Sequence, residues 1–190
     1  KKMHYTNPET GEVRSAEIFV TILGASQLIY VEAVKSQKLE DWIWANENAW
    51  RYYGGVPRGI CPDNLKSAVS EACNYEPLLN DTYYDLARHY NTVILPTRPA
   101  RPKDKPLVEN AVRLVYQRIF AKLRNQTFFS LAELNQAIWE ELEKLNNTNF
   151  QRRDMSRREL FNDIEKNELQ PLPAERYEIK HYQVSRVEFN

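Results

Sequence analysis

Two carboxylates in this chain of 190 residues stand where they could do metal chemistry. Asp63 lies in ICPDN, directly after an apolar run, and Glu109 lies in KDKPLVEN, at the opening of a helical pattern. Hard divalent cations such as Mg²⁺ take carboxylate oxygens and keep several waters. Two such ions about 3.5–4 Å apart activate an attacking oxygen and stabilise a leaving one in phosphodiester displacement. A plainer reading stays open for each residue. Asp63 after Pro62 suits a turn or a cap, and a Glu in a first turn favours the helix dipole whatever its function.

The basic residues around the pair bear on that choice. Arg98, Arg101, Lys103 and Lys105 lie directly N-terminal to Glu109, where a nucleic-acid backbone would pass. Lys66 follows Asp63 closely in sequence and could reach a phosphate. As bare features, the charge run reads equally as a solvated loop and Lys66 as a surface lysine. Net charge is zero, with 26 basic and 26 acidic residues. Binding to nucleic acid must therefore rest on local stripes such as RPARPKDK (98–105) and QRRDMSRR (151–158). Arg152, Arg153, Arg157 and Arg158 in the second stripe either meet DNA or solvate a linker.

The elements that position these residues follow from periodicity and turn chemistry. NPETGE (7–12) is a hairpin turn. SAEIFVTILGAS and LIYVEAVKS read as the next two strands of an antiparallel meander. KLEDWIWANENAWRYYGG (38–55) has helical spacing and ends at a glycine pair. Its tryptophans and tyrosines suit an amphipathic core-facing helix better than a base-stacking platform. VPRGICP (56–62) reads as a short strand ending just before Asp63, and TVILP (92–96) as a buried strand, with the helix NDTYYDLARHYN (80–91) between them. From Pro106, favourable at a first helical position, a helix runs to residue 125. Two more open with Ser-x-x-Glu boxes at Ser130 and Ser156. The end, 171–190, reads as a linker and the start of a β-rich unit.

This order predicts an α/β fold, a mixed five-stranded sheet of ribonuclease-H type flanked by helices, with C-terminal helices and the start of a β-rich appendage. Mean hydropathy is −0.66 and no apolar run approaches the roughly 20 residues of a membrane span. Cys61 and Cys73 lack metal-site spacing, and His4, His89 and His181 are scattered.

Several blocks carry a resemblance: EIFVTILGAS, YYGGVPR, CPDNLKSAV, YEPLLNDTYYDLARHYNTVILPTRPARPKDKPLVENAV, LRNQTFFSLAELN, SRRELF and LPAERYE. Together they resemble the IstA-type transposases of the retroviral-integrase-like DDE recombinases, over nearly the whole chain. The resemblance implies a ribonuclease-H-like core with an Asp-Asp-Glu triad that cuts 3′ ends and joins them to target DNA, using two Mg²⁺ or Mn²⁺ ions. It gives Asp63 the place of the second Asp and Glu109 that of the Glu. It also implies homo-oligomeric assembly on transposon ends, a helper ATPase, and a cytoplasmic protein that is nucleoid-associated when bound to DNA.

The chain departs from the pattern at its start. The family's first Asp stands in a first strand ahead of the hairpin, and none of Glu12, Glu17 or Glu32 occupies that place. The expectation is a fragment: a catalytic core over 1–126 with its first strand truncated, a helical extension over 127–170, and the linker and β-rich start over 171–190. Such a fragment would be inactive alone. The alternative is a non-catalytic integrase-fold module for DNA binding or assembly of the transposition complex.

Overall fold

A computed structural model describes residues 3–62, 81–95 and 106–180. The meander forms as its turn chemistry dictates. β1 (Met3–Thr6) and β2 (Val13–Ile22) join through a turn where Asn7 N–H donates to the Glu12 carbonyl at 2.8 Å. The Asn7 Oδ1 accepts from Glu9 N–H at 2.9 Å, and Gly11 takes the left-handed φ of 68° that closes the turn. β2 and β3 (Ile29–Val34) pair antiparallel from Glu17↔Val34 to Ile22↔Ile29.

α1 (Leu39–Tyr53) lays Ile43, Ala49, Trp50 and Tyr53 into the core and stops at left-handed Gly54 (φ 78°). α2 (Asp81–His89) lies between β4 (Gly59–Ile60) and β5 (Val93–Ile94), and Asn91 with φ 50° ends its turn. These strands are shorter than the sequence suggests: Val56 leaves the expected strand to make an isolated antiparallel bridge with Gln170. α3 (Pro106–Val115) is not one uninterrupted helix to residue 125. A π-helical stretch, Tyr116–Phe120, intervenes before the short α4 (Ala121–Leu123). α5 (Leu131–Asn146) and α6 (Arg157–Leu160) open at Ser130 and Ser156 as predicted, and the Ser156 box is reciprocal with Glu159.

The expected five-stranded sheet is corrected. Among the described residues there are two sheets, β1-β2-β3 and β4-β5. β1 is the reason: its register, Met3↔Ala16 to Thr6↔Val13, covers only the first four residues of β2. Residues 17–22 thus have β3 on one side and no strand on the other among the described residues.

The far edge of β3 is closed by side chains of α5. Asn135 and Asn146 each bond both backbone groups of one residue, Ala33 and Ile29 respectively, and Trp139 Nε1 donates to the Val31 carbonyl at 3.0 Å. Alternate residues of an edge strand present their backbone outward, and α5 pairs each of these three in turn. Among the described residues, the opposite side of this sheet is the one left without a strand along residues 17–22.

Residues 171–180 contain no strand, against the strand-like reading of Tyr177 and Ile179. They are pinned to the core instead. Glu47 on α1, 1% exposed, accepts from the Tyr177 N–H at 2.9 Å and from the Tyr90 hydroxyl. Arg176 lies 3.6 Å from Glu47 and over the Trp44 ring. Further along, Lys180 pairs with Asp85 at 3.1 Å. Burial of Tyr90 and its bond to Glu47 hold that phenol well above its ordinary range.

Candidate functional site

Pro106 opens α3 with no lost bond, because a first-turn N–H has no partner within the helix. Ala111, Val115 and Ile119 turn one face of the helix into the core against β2. The helical repeat then places Glu109, Arg113 and Tyr116 on the opposite side, all exposed. Arg113 donates to Asn110 Oδ1 at 2.8 Å. Glu109 makes no hydrogen bond or ion pair among the described residues. It is an exposed carboxylate on α3.

The other carboxylates weighed at the sheet are committed. Glu12 pairs with Arg14 at 2.8 Å, and Glu17 accepts from Gln37 at 3.0 Å. Glu32 accepts from Tyr30 and Asn48, each at 3.0 Å, and burial holds its carboxyl above the usual value. This network is one that sequence reasoning missed, because nothing in the spacing of Glu32 and Asn48 marks them as partners.

Asp63 lies outside the described residues, as do Lys66, Arg98, Arg101, Lys103 and Lys105. The strands that lead to them are described. β4 and β5 are parallel, Gly59↔Val93 and Ile60↔Ile94, with Val93 N–H donating to Arg58 and Leu95 N–H to Ile60. Parallel strands end at the same edge. The chain therefore leaves β4 towards Asp63 and leaves β5 towards the basic run at one edge of this pair. That is where open α/β sheets hold ligands.

Among the described residues, no group of three His, Cys, Asp or Glu side chains could hold a metal ion. Glu109 supplies one suitable donor: an exposed hard oxygen ligand on a helix that follows the basic run. His4 instead faces Ser15 at 3.3 Å and His89 faces the Glu175 carbonyl at 3.2 Å. The aromatic residues of α1 behave as core. Trp50 and Tyr53 are buried and Trp42 stacks on Tyr83 at 4.5 Å. Trp44, half exposed, is covered in part by Arg176.

The chain is 49% identical over 181 residues to "Putative transposase y4bL/y4kJ/y4tB" of Sinorhizobium fredii, a match covering 95% of this chain and 35% of that protein. It is 28% identical over 171 residues to the transposase for insertion sequence element IS21 of Pseudomonas aeruginosa, covering 90% and 43% of the two. The chain is related to insertion-sequence transposases. It spans about a third of the length of transposase relatives that it matches, 35% and 34% for two of them from Sinorhizobium fredii. No protein-family model matches it.

Solved structures supply the fold. The simian T-cell lymphotropic virus intasome, in complex with a PP2A regulatory subunit, matches with a TM-score of 0.62 at 16% identity, over 98% of this chain and 58% of that one. The catalytic core domain of BIV integrase matches with a TM-score of 0.57 at 14% identity, over 88% and 93%. The HTLV-2 integrase core, solved with magnesium, gives 0.55 at 17% identity over 84% and 91%. The fold is therefore that of an integrase catalytic core, ribonuclease-H-like, as the resemblance implied. No helix among the described residues is long and apolar enough to cross a membrane.

Proposed function

We propose that this chain is the catalytic-core portion of a DDE transposase of IstA type, which cleaves transposon 3′ ends and transfers them to target DNA. The observation that carries the reading is the common edge of β4 and β5. The chain leaves both strands at that edge, Asp63 and the basic run follow them in sequence, and the next helix presents an exposed Glu109. The transposase relatives and the integrase-core fold support the same assignment.

Asp63 and Glu109 would hold two divalent ions, Mg²⁺ or Mn²⁺, together with a first Asp. When bound, such ions lower the barrier to phosphodiester displacement by activating the attacking oxygen and stabilising the leaving one. The chain's own part is to hold its ligands rigidly. A strand end and a helix fix carboxylates better than loops do, and α3 is seated on β2 through Ala111 and Val115. Arg98, Arg101, Lys103, Lys105 and Lys66 bind the DNA backbone and orient it, by neutralising phosphates in a sequence-independent way.

Residues 17–22 of β2 have no strand on their free side among the described residues. Because α5 closes β3, this is the side on which a central strand can join the two described sheets into one. The same reading makes residues 1–126 the core, 127–170 a helical extension and 171–190 a linker. It also includes homo-oligomeric assembly on DNA and a helper ATPase. The test is strand transfer by the full-length protein carrying Asp63→Asn or Glu109→Gln. Loss with intact folding supports the reading; full activity in either variant removes that residue from the site.

A further inference from the structure

The second basic stripe is divided by the fold into two kinds of arginine. Arg158 is spent internally: it donates to Glu143 at 2.9 Å and to the Tyr52 hydroxyl, and stacks over the Tyr52 ring. Arg152 and Arg153 sit exposed at the tip of the loop joining α5 to α6. Arg157, at its base, is only 8% exposed and lies 4.7 Å above the Phe150 ring. No carboxylate pairs with Arg157, and its Nε has no hydrogen-bond partner among the described residues. A buried charge without a counter-ion is costly, and such a site favours an anion.

The loop is built to hold its shape. Asn149 and Ser156 bridge across its neck, Phe150 N–H donates to the Met155 carbonyl at 3.0 Å, and Arg153 N–H to the Phe150 carbonyl at 3.3 Å. Its acids are occupied elsewhere. Asp154 accepts from Asn149 at 2.9 Å and Glu159 from the Ser156 N–H at 2.7 Å. The tip therefore presents two exposed cations above a third that burial shields from salt.

We propose that this loop is a second DNA-backbone contact, in which Arg152 and Arg153 neutralise phosphates of duplex DNA and the buried Arg157 reinforces the local field. The proposal rests on the transposase reading for its ligand and adds a surface far along the chain from the run at 98–105. Guanidinium groups suit it because they bind phosphate oxygens in a fork and stay charged.

The experiment is fluorescence anisotropy of labelled duplex DNA with the full-length protein across a salt series. Wild type is compared with R152A/R153A and R152K/R153K. Each phosphate neutralised on B-DNA contributes about −0.9 to the slope of log K against log salt. The double alanine variant is expected to flatten the slope by about 1.8 for its two phosphates, and the double lysine variant to restore most of it. An unchanged slope in the alanine variant, or no duplex binding by the wild type, overturns the proposal. Inorganic phosphate titrated alone is expected to bind only weakly; saturable binding that competes with duplex would make this a free-anion site and also overturn it. The two readings fail separately. Strand transfer that survives Glu109→Gln sinks the catalytic assignment alone, whereas Glu109-dependent transfer with a slope indifferent to Arg152 and Arg153 sinks the loop alone.

Discussion

Asn135 grips Ala33 at both ends of its carboxamide: Oδ1 accepts from the Ala33 N–H at 2.7 Å, and Nδ2 donates to the Ala33 carbonyl at 2.9 Å. Asn146 repeats the arrangement on Ile29 at 3.2 and 2.8 Å. An edge strand is a template for pairing with other chains, and here a helix occupies it with side chains. Asn135→Ala leaves a buried donor and a buried acceptor unpaired, at about 1–3 kcal/mol each. Urea unfolding is expected to show a loss of about 2–4 kcal/mol, and the Asn135→Ala, Asn146→Ala double variant should aggregate on partial unfolding. A change below about 0.5 kcal/mol, the range of ordinary surface substitutions, would show that water replaces the carboxamide.

Glu47 and Tyr177 make the corresponding connection for the C-terminal segment. Glu47→Ala removes the acceptor for both the Tyr177 N–H and the Tyr90 hydroxyl, whereas Glu47→Gln keeps an acceptor. Hydrogen exchange at the Tyr177 amide should accelerate strongly in the alanine variant and little in the glutamine one. Equal protection in both would mean that packing alone seats the segment.

Gly55 is required by close approach. A Cβ there would lie 2.6 Å from the Leu169 Cβ and 2.8 Å from the Gln170 carbonyl oxygen. Gly55→Ala must therefore displace the Val56–Gln170 bridge, whose two hydrogen bonds are each 2.8 Å. The expected cost is about 1–3 kcal/mol, as for overpacking elsewhere, with faster proteolysis near residue 170. Wild-type resistance to protease would show that the segment shifts without loss.

How much of this was legible beforehand depends on the range of the interaction. The hairpin at Asn7, the stop at Gly54 and the caps at Ser130 and Ser156 are local, and the sequence pattern locates them well. Ser130 differs in detail, since Glu133 reaches back to the Phe129 N–H rather than to Ser130. The two-sheet arrangement was not legible, because it depends on which strand lies beside residues 17–22 of β2. Nor were the bonds of Asn135 to Ala33 or Tyr177 to Glu47, which join residues 102 and 130 positions apart. At the candidate site, the helix that carries Glu109 was legible from periodicity and from Pro106, whereas the roles of Asp63 and Glu109 came from the family resemblance. Glu109 is exposed and Asp63 lies outside the described residues.

Glu159 gives a pH prediction. Its hydrogen bonds to Ser156 lower its carboxyl below the ordinary 4.5. A carboxyl lowered on folding contributes stability that is present above the unfolded value and is lost as pH falls through the folded one. Glu159→Gln preserves the capping bonds but cannot titrate. It should fall below wild-type thermal stability near neutral pH and converge with it below about pH 4.5, where the wild-type carboxylate protonates. Parallel acid limbs for the two proteins would show that the capping carboxylate does not contribute to acid unfolding.

The most direct test of the central claim is strand transfer of a pre-cleaved transposon-end duplex by the full-length Glu109→Gln protein with Mg²⁺. Thermal stability and duplex binding are measured alongside. The account predicts a fall of more than about 100-fold, beyond the 10–100-fold typical of changes outside a metal's own ligands, with folding and DNA binding retained. Transfer at the wild-type rate would contradict it, leaving Glu109 an ordinary first-turn carboxylate and this fold a scaffold.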